Sequence, residues 1–514
     1  MTAVAEAHHG PVANRGLITV SIMLATIMQA LDTTIANVAL PHMQGSLATA
    51  QDQITWVLTS YIVAAAIATP LTGWLTGRFG RKRMFLLAVA GFTAASALCG
   101  VAETLGQIVL YRLLQGLFGA ALVPLSQAVL LDINPREKHG QAMAIWGAGI
   151  MVGPILGPTL GGWLTEDYNW RWVFYINLPI GALAFLGISI FVTETVKDRA
   201  RPFDVFGFAM LSLGVGALQL LLDRGELKDW LGSTEIRIEL ALAAIGFWVF
   251  LVHMMTAAHP FVSPALFKDR NFVAGLIFIF IVSIILYATL ALLPPLMQGL
   301  MNYPVVTTGA LLAPRGIGTM VAMLVVGPLI GKIDIRLILA VGLGLTAFSL
   351  WQMSQYSLQM DSEPIIVAGA VQGVGLGFTF VPLSTVAFAT LAPLIRTEAA
   401  AVFSLVRNMG GSIGISVVET MLDRSTQVNH ADLAVNASPF NWALAAPDVQ
   451  RYWDLHTTAG MAALNAEINR QAAMIAYLND FRLMMVITIV AIPLLVLLHV
   501  PKSAARGSAA AAME

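Results

Sequence analysis

Charged residues are scarce in this sequence. They make up 11% of the 514 residues, whereas a soluble protein usually carries about 25%. A soluble domain of this length needs a charged surface to stay dissolved, yet 57% of this chain is hydrophobic. The composition therefore excludes water as the main solvent and predicts a membrane protein.

Cysteine is also rare, and the chain carries no excess of basic charge. The single cysteine, Cys99, lies in an apolar run, so the chain has no intramolecular disulfide and no second ligand for a zinc or thiol-redox site. The formal net charge is −1, and no basic tract suggests a nucleic-acid footprint. There is also no Walker loop, dinucleotide-binding motif or His/Glu metal set. We therefore expect neither an enzyme nor a cofactor, and energy must come from an ion gradient or the substrate's own gradient.

What the chain has in abundance is apolar runs of about 20 residues, the length that crosses a bilayer. The first run continues to Leu40 and is too long for a signal peptide, so we interpret it as a retained span. The sequence predicts an all-α polytopic protein with fourteen spans, near residues 17–41, 53–76, 82–102, 105–131, 140–165, 170–194, 203–222, 235–257, 272–298, 305–330, 336–358, 364–390, 398–422 and 480–500.

Basic residues predict how these spans are oriented. With the N-terminus inside, seventeen of the 28 Lys and Arg residues fall in inner segments, namely Arg15, Arg78, Arg81, Lys82, Arg83, Arg136, Lys138, Lys197, Arg199, Arg201, Lys268, Arg270, Lys332, Arg336, Arg396, Lys502 and Arg506. The short outer loops and their helix ends hold only Arg171, Arg224, Lys228 and Arg237. We therefore predict a bacterial inner-membrane protein whose terminal tails, 1–16 and 501–514, are both cytoplasmic.

One predicted outer loop is much longer than the other connections. Residues 423–479 form a segment of about 57 residues in which apolar residues recur at helical spacing, namely Met461, Leu464, Ile468, Ile475 and Leu478. The pattern predicts an amphipathic helix in this loop. The loop is either a packed external cap or a docking surface for a partner, and the sequence favours neither.

The chain also contains a weak internal repeat. The segment 123–126 (Val-Pro-Leu-Ser) recurs at 381–384, and each copy follows a Gln-Gly pair, Gln115-Gly116 and Gln372-Gly373. The next span repeats at an offset of 257 residues, as the Gln-Gly pair does, with Trp146, Gly153 and Gly157 matching Phe403, Gly410 and Gly414. The simplest arrangement is a six-helix bundle over 17–194, an inserted pair over 203–257 and a second bundle over 272–500. Two related bundles are typical of transporters, which bind substrate between them near mid-membrane.

Two charged residues lie within the first and fourth spans. A charge inside a span costs about 2.5–3.5 kcal/mol on insertion scales, so each should have a partner or a task. Asp32 lies about nine residues from the outer end of its span, or ~13 Å, and Arg112 about seven residues, or ~10 Å, from the outer start of its own. At this similar depth they are candidates for an ion pair or a shared water-filled cavity, and Gln29 and Gln115 lie one turn away on the same faces.

Such a pair suits proton coupling. An aspartate opposite an arginine stays charged until the arginine is drawn away, and this conditional change in proton affinity is what a proton-driven conformational cycle requires. A static structural pair is the alternative. Arg315 and Arg407, in the tenth and thirteenth spans, could each meet an anionic group or a carbonyl-rich helix end. We include both among the candidate residues of a substrate cavity.

The fifth span carries glycine at regular intervals together with two prolines. Glycine at every fourth position clears one helix face so that a neighbouring helix can approach closely, and proline bends the helix. A bent, close-packed helix suits a gate, although close packing alone is an alternative explanation. The candidate gating residues are Gly149, Gly153, Pro154, Gly157, Pro158 and Gly161.

These motifs together resemble the major facilitator transporters, and within them the fourteen-helix drug:proton antiporter family of the EmrB type. Segment 31–41 (Leu-Asp-Thr-Thr-Ile-Ala-Asn-Val-Ala-Leu-Pro) is similar to the first-span signature of that family, and Arg112 with Gln115-Gly116 resembles its proton-coupling motif. The glycine-proline pattern of the fifth span resembles the antiporter motif, a mark of exporters. Segments 170–181 and 222–230 resemble the sixth-span signature and the loop of the inserted pair.

One motif departs from the family pattern. The loop between the second and third spans carries Gly73, Gly77, Arg78, Gly80 and Arg81 in the expected register, but Gly77 stands where the family has aspartate. That aspartate helps to latch the cytoplasmic side shut. We therefore expect either a weaker latch or one in which Arg78 and Arg81 meet helix C-termini.

The resemblance implies a function and partners. It implies export of hydrophobic toxic compounds such as uncouplers, antibiotics or fatty acids, with protons as the coupling ion. It also implies a periplasmic membrane-fusion adaptor of the EmrA kind and a TolC-like outer-membrane channel, for which residues 423–479 are a candidate contact surface. Aromatic residues of central helices would line a greasy substrate site, and the candidates are Trp146, Tyr287 and Phe403.

Two other functions compete with export. A facilitator or proton symporter that imports a nutrient would need a polar site rich in Asn, Gln and charge, and the fifth-span pattern argues against it. A membrane receptor or scaffold would use residues 423–479 as its ligand domain. Proton-dependent flux in proteoliposomes would separate all three.

Overall fold

The computed structural model describes residues 14–195, 202–392, 395–438, 440–444 and 446–498. Most of the two tails, 1–13 and 501–514, lies outside this part of the chain. The same holds for five of the basic residues used to predict the orientation, Lys197, Arg199, Arg201, Lys502 and Arg506.

The described residues are almost entirely helical. The helices of the first half are α1 (Arg15–Ser46), α2 (Gln51–Ile54), α3 (Trp56–Ala68), α4 (Leu71–Phe79), α5 (Arg81–Val101), α6 (Leu105–Gly119), α7 (Leu122–Ile133), α8 (His139–Ile150), α9 (Val152–Asp167), α10 (Trp172–Tyr175), α11 (Asn177–Phe191), α12 (Val205–Arg224) and α13 (Thr234–Thr256). Those of the second half are α14 (Ala265–Lys268), α15 (Arg270–Pro295), α16 (Val305–Val326), α17 (Ile335–Met353), α18 (Glu363–Ala389), α19 (Arg396–Ala434), α20 (Pro447–Gln450) and α21 (Thr458–Ala491).

The number of spans agrees with the sequence pattern. Among the described residues, thirteen helices are long and apolar enough to cross a membrane, and α3 with α4 makes a fourteenth if the two count as one span bent by 56°. Pro70 lies between α3 and α4, where its missing N–H and rigid ring interrupt the helical hydrogen bonds. The predicted all-α, fourteen-span membrane fold is confirmed.

Packing divides the chain into two compact units. Unit 1 comprises Met1–Gly216, Ile245–Asp269 and Phe388–Leu405, and unit 2 comprises Ala217–Ala244, Arg270–Ala387 and Val406–Glu514. The inserted pair α12 and α13 is thus shared between the units.

Each unit has its own apolar core. In unit 1, α1 packs against α9 and α11, and α6 packs against α3 and α5. A buried cluster that includes Leu31, Ile35 and Phe174 lies among these helices. In unit 2, α21 packs against α17 and α15, and its core includes Leu350 and Phe481.

The long loop predicted at 423–479 is mostly a continuation of its two flanking spans. α19 is 39 residues long and continues to Ala434, and α21 begins at Thr458 rather than near residue 480. The predicted helix is present, but it is the first part of α21 rather than a separate element. Its apolar residues do not share one buried face, because Leu464 is buried whereas Met461 and Ile475 are exposed.

Candidate functional site

Asp32 and Arg112 form an ion pair inside unit 1. Arg112 Nη1 lies 2.6 Å from Asp32 Oδ2, and each side chain is only 1% exposed. α1 supplies the carboxylate and α6 the guanidinium, so the pair joins two spans. Of the two arrangements that the sequence left open, the structure contains the direct pair.

Two amides complete the coordination of the carboxylate. Gln115 Nε2 donates to Asp32 Oδ1 at 2.8 Å, and Asn177 Nδ2 donates to the same oxygen at 2.7 Å. Asn177 also donates to Ser96 Oγ at 2.9 Å, which ties α11 to α5. The carboxylate of Asp32 is therefore held from α6 and α11 as well as by its cation.

The guanidinium of Arg112 has neutral partners of its own. Nη1 donates to Gln115 Oε1 at 2.8 Å, and Nε donates to the carbonyl oxygen of Val57 at 3.2 Å. The ring of Tyr61 lies 4.3 Å from Arg112 Cζ, close enough for a cation–π contact. Gln29, which the sequence grouped with Asp32, instead donates to the hydroxyl of Tyr61 at 3.2 Å.

This arrangement defines what the site can do chemically. A buried ion pair is expensive to break from one side, because removing one partner leaves an uncompensated charge at a cost of about 3–5 kcal/mol. A proton can neutralise Asp32 while Arg112 keeps Gln115 and the Val57 carbonyl as acceptors. Protonation of Asp32 would therefore leave the guanidinium hydrogen-bonded but without its counterion.

The glycines of the fifth span face the helix that carries Asp32. A Cβ added at Gly153 would lie 2.6 Å from the carbonyl carbon of Ala30, and one added at Gly157 would collide with Thr34 Oγ1. Gly149 faces Met23, and Gly161 makes a looser contact with Ile35. Glycine is therefore required for α9 to lie this close to α1, as the spacing of the glycines predicts.

The fifth span is also interrupted. α8 ends at Ile150 and α9 begins at Val152, so Pro154 lies in the first turn of α9, where a missing N–H is tolerated. Pro158 lies inside α9. Only Met151 separates the two helices, and its backbone stays in the right-handed helical region.

The cytoplasmic loop motif forms a charged cluster within unit 1. Arg81 forms a salt bridge with Asp132, near the C-terminus of α7, and its Nη2 donates to Thr397 Oγ1 at 3.1 Å. Arg396 Nη1 pairs with the other oxygen of Asp132 at 2.9 Å. Arg81 therefore meets a helix C-terminus, through a carboxylate, and also the start of α19.

The other residues of that loop have separate environments. Gly73 packs against Glu398, and a Cβ at Gly77 would meet nothing within 4 Å. Gly80 has a φ of 96°, a left-handed conformation that favours glycine, and it is covered by the carboxylate of Glu194. Arg78 is exposed.

The predicted aromatic cavity residues are packed against protein in this conformation. Trp146 is 1% exposed and donates through Nε1 to Ser126 Oγ at 2.9 Å, and the ring of Phe403 packs at a tilt against that of Phe388 with centroids 5.4 Å apart. Tyr287 is half-buried against Gly411, and Arg407 is half-buried. The lining role of these four residues stays a prediction.

Sequence reasoning missed three residues of functional interest. Asn177 and Tyr61 belong to the Asp32 site. The sequence could have indicated both, because each is a polar residue within an apolar span. Asp480 of α21 is 0% exposed, and neither of its carboxylate oxygens has a hydrogen-bond partner among the described residues. Its signal was an acidic residue at the predicted start of the last span.

The fold and the site define a class of protein. A polytopic helical protein with repeated halves and a buried carboxylate–guanidinium pair has the architecture of a secondary transporter. The family model described as the Major Facilitator Superfamily matches residues 22–415, and the chain belongs to that family. It is therefore a multi-pass membrane transporter rather than an enzyme.

Two similar proteins from bacteria extend the comparison. The chain is 35% identical to "Multidrug export protein EmrB" of Escherichia coli (strain K12) over 427 residues, 83% of each chain. It is 37% identical to "Fatty acid resistance protein FarB" of Neisseria gonorrhoeae over 83% of this chain and 84% of that one. Among solved structures, the proton:xylose symporter XylE aligns with a TM-score of 0.60 at 13% identity, over 93% of this chain and 95% of its own, which shows the fold alone.

Proposed function

We propose that this chain is a proton-coupled exporter of hydrophobic toxic compounds, a drug:proton antiporter of the inner membrane with both termini in the cytoplasm. The buried pair of Asp32 and Arg112 carries the proposal. Asp32 can bind a proton, and the guanidinium of Arg112 balances its negative charge when no proton is bound. The EmrB and FarB proteins, whose names describe multidrug export and fatty acid resistance, support the assignment to export.

The proposed cycle uses the residues of this site in sequence. A proton from the outer side binds Asp32, the Asp32–Arg112 pair separates, and Arg112 is held by Gln115 and the Val57 carbonyl. Release of the compound outward follows this change. Loss of the proton to the cytoplasm restores the ion pair and resets the carrier.

The glycine face of α9 gives this cycle a mechanical route. Because the glycines of α9 pack directly on α1, a change at Asp32 would displace α9 as well. The glycine-proline motif would then act as the gate that the sequence suggests.

Ethidium efflux from energised vesicles tests the coupling role. Asp32→Asn keeps the shape of the carboxylate but binds no proton, so uncoupler-sensitive efflux should stop. Asp480→Asn is the matched control, because Asp480 is a buried carboxylate that has no ion pair among the described residues. Undiminished, uncoupler-sensitive efflux by the Asp32 variant would remove Asp32 from the mechanism.

We also propose that residues 423–479 bind a periplasmic adaptor of the EmrA kind, which leads to a TolC-like channel. The 39 residues of α19 measure ~58 Å, whereas the hydrocarbon layer is about 30 Å thick. The ends of α19 and α21 are linked, because Asn429 Nδ2 donates to the carbonyl oxygen of Ala472 at 3.3 Å and His430 contacts Asn465 at 2.9 Å. They form a helical hairpin long enough to leave the membrane.

The connection between these two helices exposes large apolar side chains. Phe440 is 96% exposed and Trp442 is 85% exposed, with Val435 and Tyr452 nearby in sequence. Exposed aromatic residues are enriched at protein interfaces. This aromatic tip supports docking over a closed external cap.

Crosslinking from the aromatic tip tests the docking proposal. Cys99 is the only native cysteine and is buried, so Phe440→Cys adds a single accessible thiol. We expect it to crosslink to a co-expressed adaptor, and replacement of residues 435–457 by a short Gly-Ser linker should abolish adaptor capture without unfolding the chain. Capture that survives this replacement would refute the role of the tip.

A further inference from the structure

Unit 2 contains a second buried polar site, at the place that corresponds to the Asp32 site. Gln115-Gly116 on α6 corresponds to Gln372-Gly373 on α18. In unit 1, a Cβ added at Gly116 would collide with the carbonyl oxygen of Tyr61. In unit 2, a Cβ added at Gly373 would collide with the carbonyl oxygen of Arg315. The position of Arg315 on α16 therefore corresponds to the position of Tyr61 on α3.

The sequence supports the same register on the neighbouring helices. Pro-x-Met-Gln-Gly occurs at 41–45 and again at 295–299, an offset of 254, which is also the offset from Tyr61 to Arg315 (315 − 61). With this offset Asp32 corresponds to Leu286 (32 + 254), and with the offset of 257 Arg112 corresponds to Gly369 (112 + 257). The second site thus keeps the glutamine, lacks the aspartate, and carries its arginine on a different helix.

Arg315 has only neutral partners in the part of the chain that the structure describes. Its side chain is 5% exposed, and Nη2 donates to Thr289 Oγ1 at 2.6 Å and to the carbonyl oxygen of Leu286 at 3.2 Å. Nη1 is buried without a hydrogen-bond partner among the described residues. A buried cation without a counterion is costly, so the site is suited to an anion that the chain itself does not provide.

Gln372 is a second buried polar side chain, on the helix that packs against Arg315. It is 0% exposed, and neither its amide nitrogen nor its oxygen has a partner among the described residues. α18 approaches α16 closely here, because a Cβ at Gly373 would collide with the carbonyl oxygen of Arg315. Gln115, the corresponding residue in unit 1, donates to a carboxylate.

The carboxylate of Asp480 does not neutralise Arg315 in this structure. Both oxygens of Asp480 are buried and lack a hydrogen-bond partner among the described residues. The surroundings of Arg315 are otherwise apolar, since Leu311 lies one turn before it and belongs to the buried cluster that also contains Ile285, Leu292 and Ala368. A ligand that satisfies this site needs an anionic group.

We infer that Arg315, with Thr289 beside it, binds the carboxylate of a hydrophobic monoanion, such as a medium-chain fatty acid. The inference rests on the proposed export function and assigns one substrate class to a site in unit 2. The planar guanidinium suits a carboxylate, and Nη1 is the donor that has no partner among the described residues.

Binding of laurate to the purified full-length chain tests the site without any requirement for proton coupling. We expect laurate to bind at least about tenfold more tightly than 1-dodecanol, which has the same chain without the charge, and Arg315→Gln to abolish that difference. Arg315→Lys should keep part of it, because the charge remains. Arg482→Gln, which removes an exposed arginine of the same unit, is the matched control.

Efflux supplies the second measurement, as the ratio of laurate to ethidium export in vesicles. Arg315→Gln should lower this ratio about tenfold, whereas failure of the proposed export function would abolish transport of both compounds. Equal laurate binding by Arg315→Gln and the parent chain would overturn the inference. So would an equal loss in Asp480→Asn, because Arg315 would then serve Asp480 rather than a ligand.

Phospholipid is the other source of a hydrophobic anion. The laurate titration is therefore repeated in nanodiscs of phosphatidylcholine alone and of phosphatidylcholine with phosphatidylglycerol. Laurate affinity that is equal in both supports the substrate site. Laurate binding that phosphatidylglycerol abolishes through Arg315 would make the site a lipid site and overturn the substrate assignment.

Discussion

Two buried arginines, one in each unit, are used in opposite ways. Arg112 lies 2.6 Å from a carboxylate that is itself held by two amides, whereas among the described residues Arg315 donates only to a hydroxyl and a carbonyl. Both lie beside a Gln-Gly pair whose glycine packs on a backbone carbonyl. The two units therefore share this packing but differ in their charged residues. We assign the site of Asp32 and Arg112 to proton binding and the site of Arg315 to anion binding.

The same substitution at the two arginines should have the most unequal effect. Arg112→Met leaves Asp32 buried without its cation and should destabilise the chain by about 3–5 kcal/mol. Arg315→Met removes an uncompensated charge and should be close to neutral, or stabilising. Thermal exposure of the single buried thiol, Cys99, to a thiol-reactive dye measures both. Equal destabilisation would mean that Arg315 has an anionic partner within the protein.

A carboxylate placed beside Arg315 should convert the second site into a copy of the first. Thr289 Oγ1 lies 2.6 Å from Arg315 Nη2, so Thr289→Asp supplies an internal counterion. We expect the ratio of laurate to ethidium efflux to fall about tenfold, because the site no longer needs an external anion. Thr289→Val, which removes the hydroxyl without adding charge, should lower the ratio much less. An unchanged ratio in Thr289→Asp would break the comparison.

The contact between α1 and α9 should be sensitive to a single methyl group. A Cβ at Gly157 would collide with Thr34 Oγ1, so Gly157→Ala should displace α1 at the level of Asp32 at a cost of about 1–3 kcal/mol. Efflux of ethidium and of laurate should fall together, because the proton site serves both. Gly162→Ala is the control, since a Cβ there meets nothing within 4 Å. Loss of only one substrate would place the contact in substrate selection instead.

The smallest effect should come from the carboxylate that has no partner. Asp480 forms no hydrogen bond with the described residues, so Asp480→Asn breaks none of the contacts that the structure describes and should not lower stability. Asp32→Asn, by contrast, removes the anion of an ion pair. The same Cys99 thermal measurement compares the two variants. A large loss of stability in Asp480→Asn would show that this carboxylate has a cationic partner in another conformation.

Much of the fold follows from local sequence patterns. Apolar runs predict the fourteen spans, and the glycine spacing of the fifth span predicts its close approach to another helix. Depth along each span predicts that Asp32 and Arg112 are level. These features depend on spacing along one helix, which the sequence shows directly.

The remaining features depend on which helices become neighbours. Asn177 reaches Asp32 only because α11 packs against α1, and the sequence separates the two residues by 145 positions. The extension of α19 and α21 beyond the predicted spans was missed because their polar ends do not resemble a membrane helix. That no described carboxylate pairs with Arg315 could not be predicted, because the sequence shows which residues are charged but not which of them meet.

Proton movement driven by a substrate gradient tests the central claim most directly. The chain is reconstituted in proteoliposomes without any other proton source, an ethidium gradient is imposed, and internal pH is followed with a trapped dye. The account predicts that protons move against the direction of ethidium in the parent chain and that this movement is absent in Asp32→Asn. Proton movement of equal size in Asp32→Asn, or in the same direction as ethidium, would contradict it.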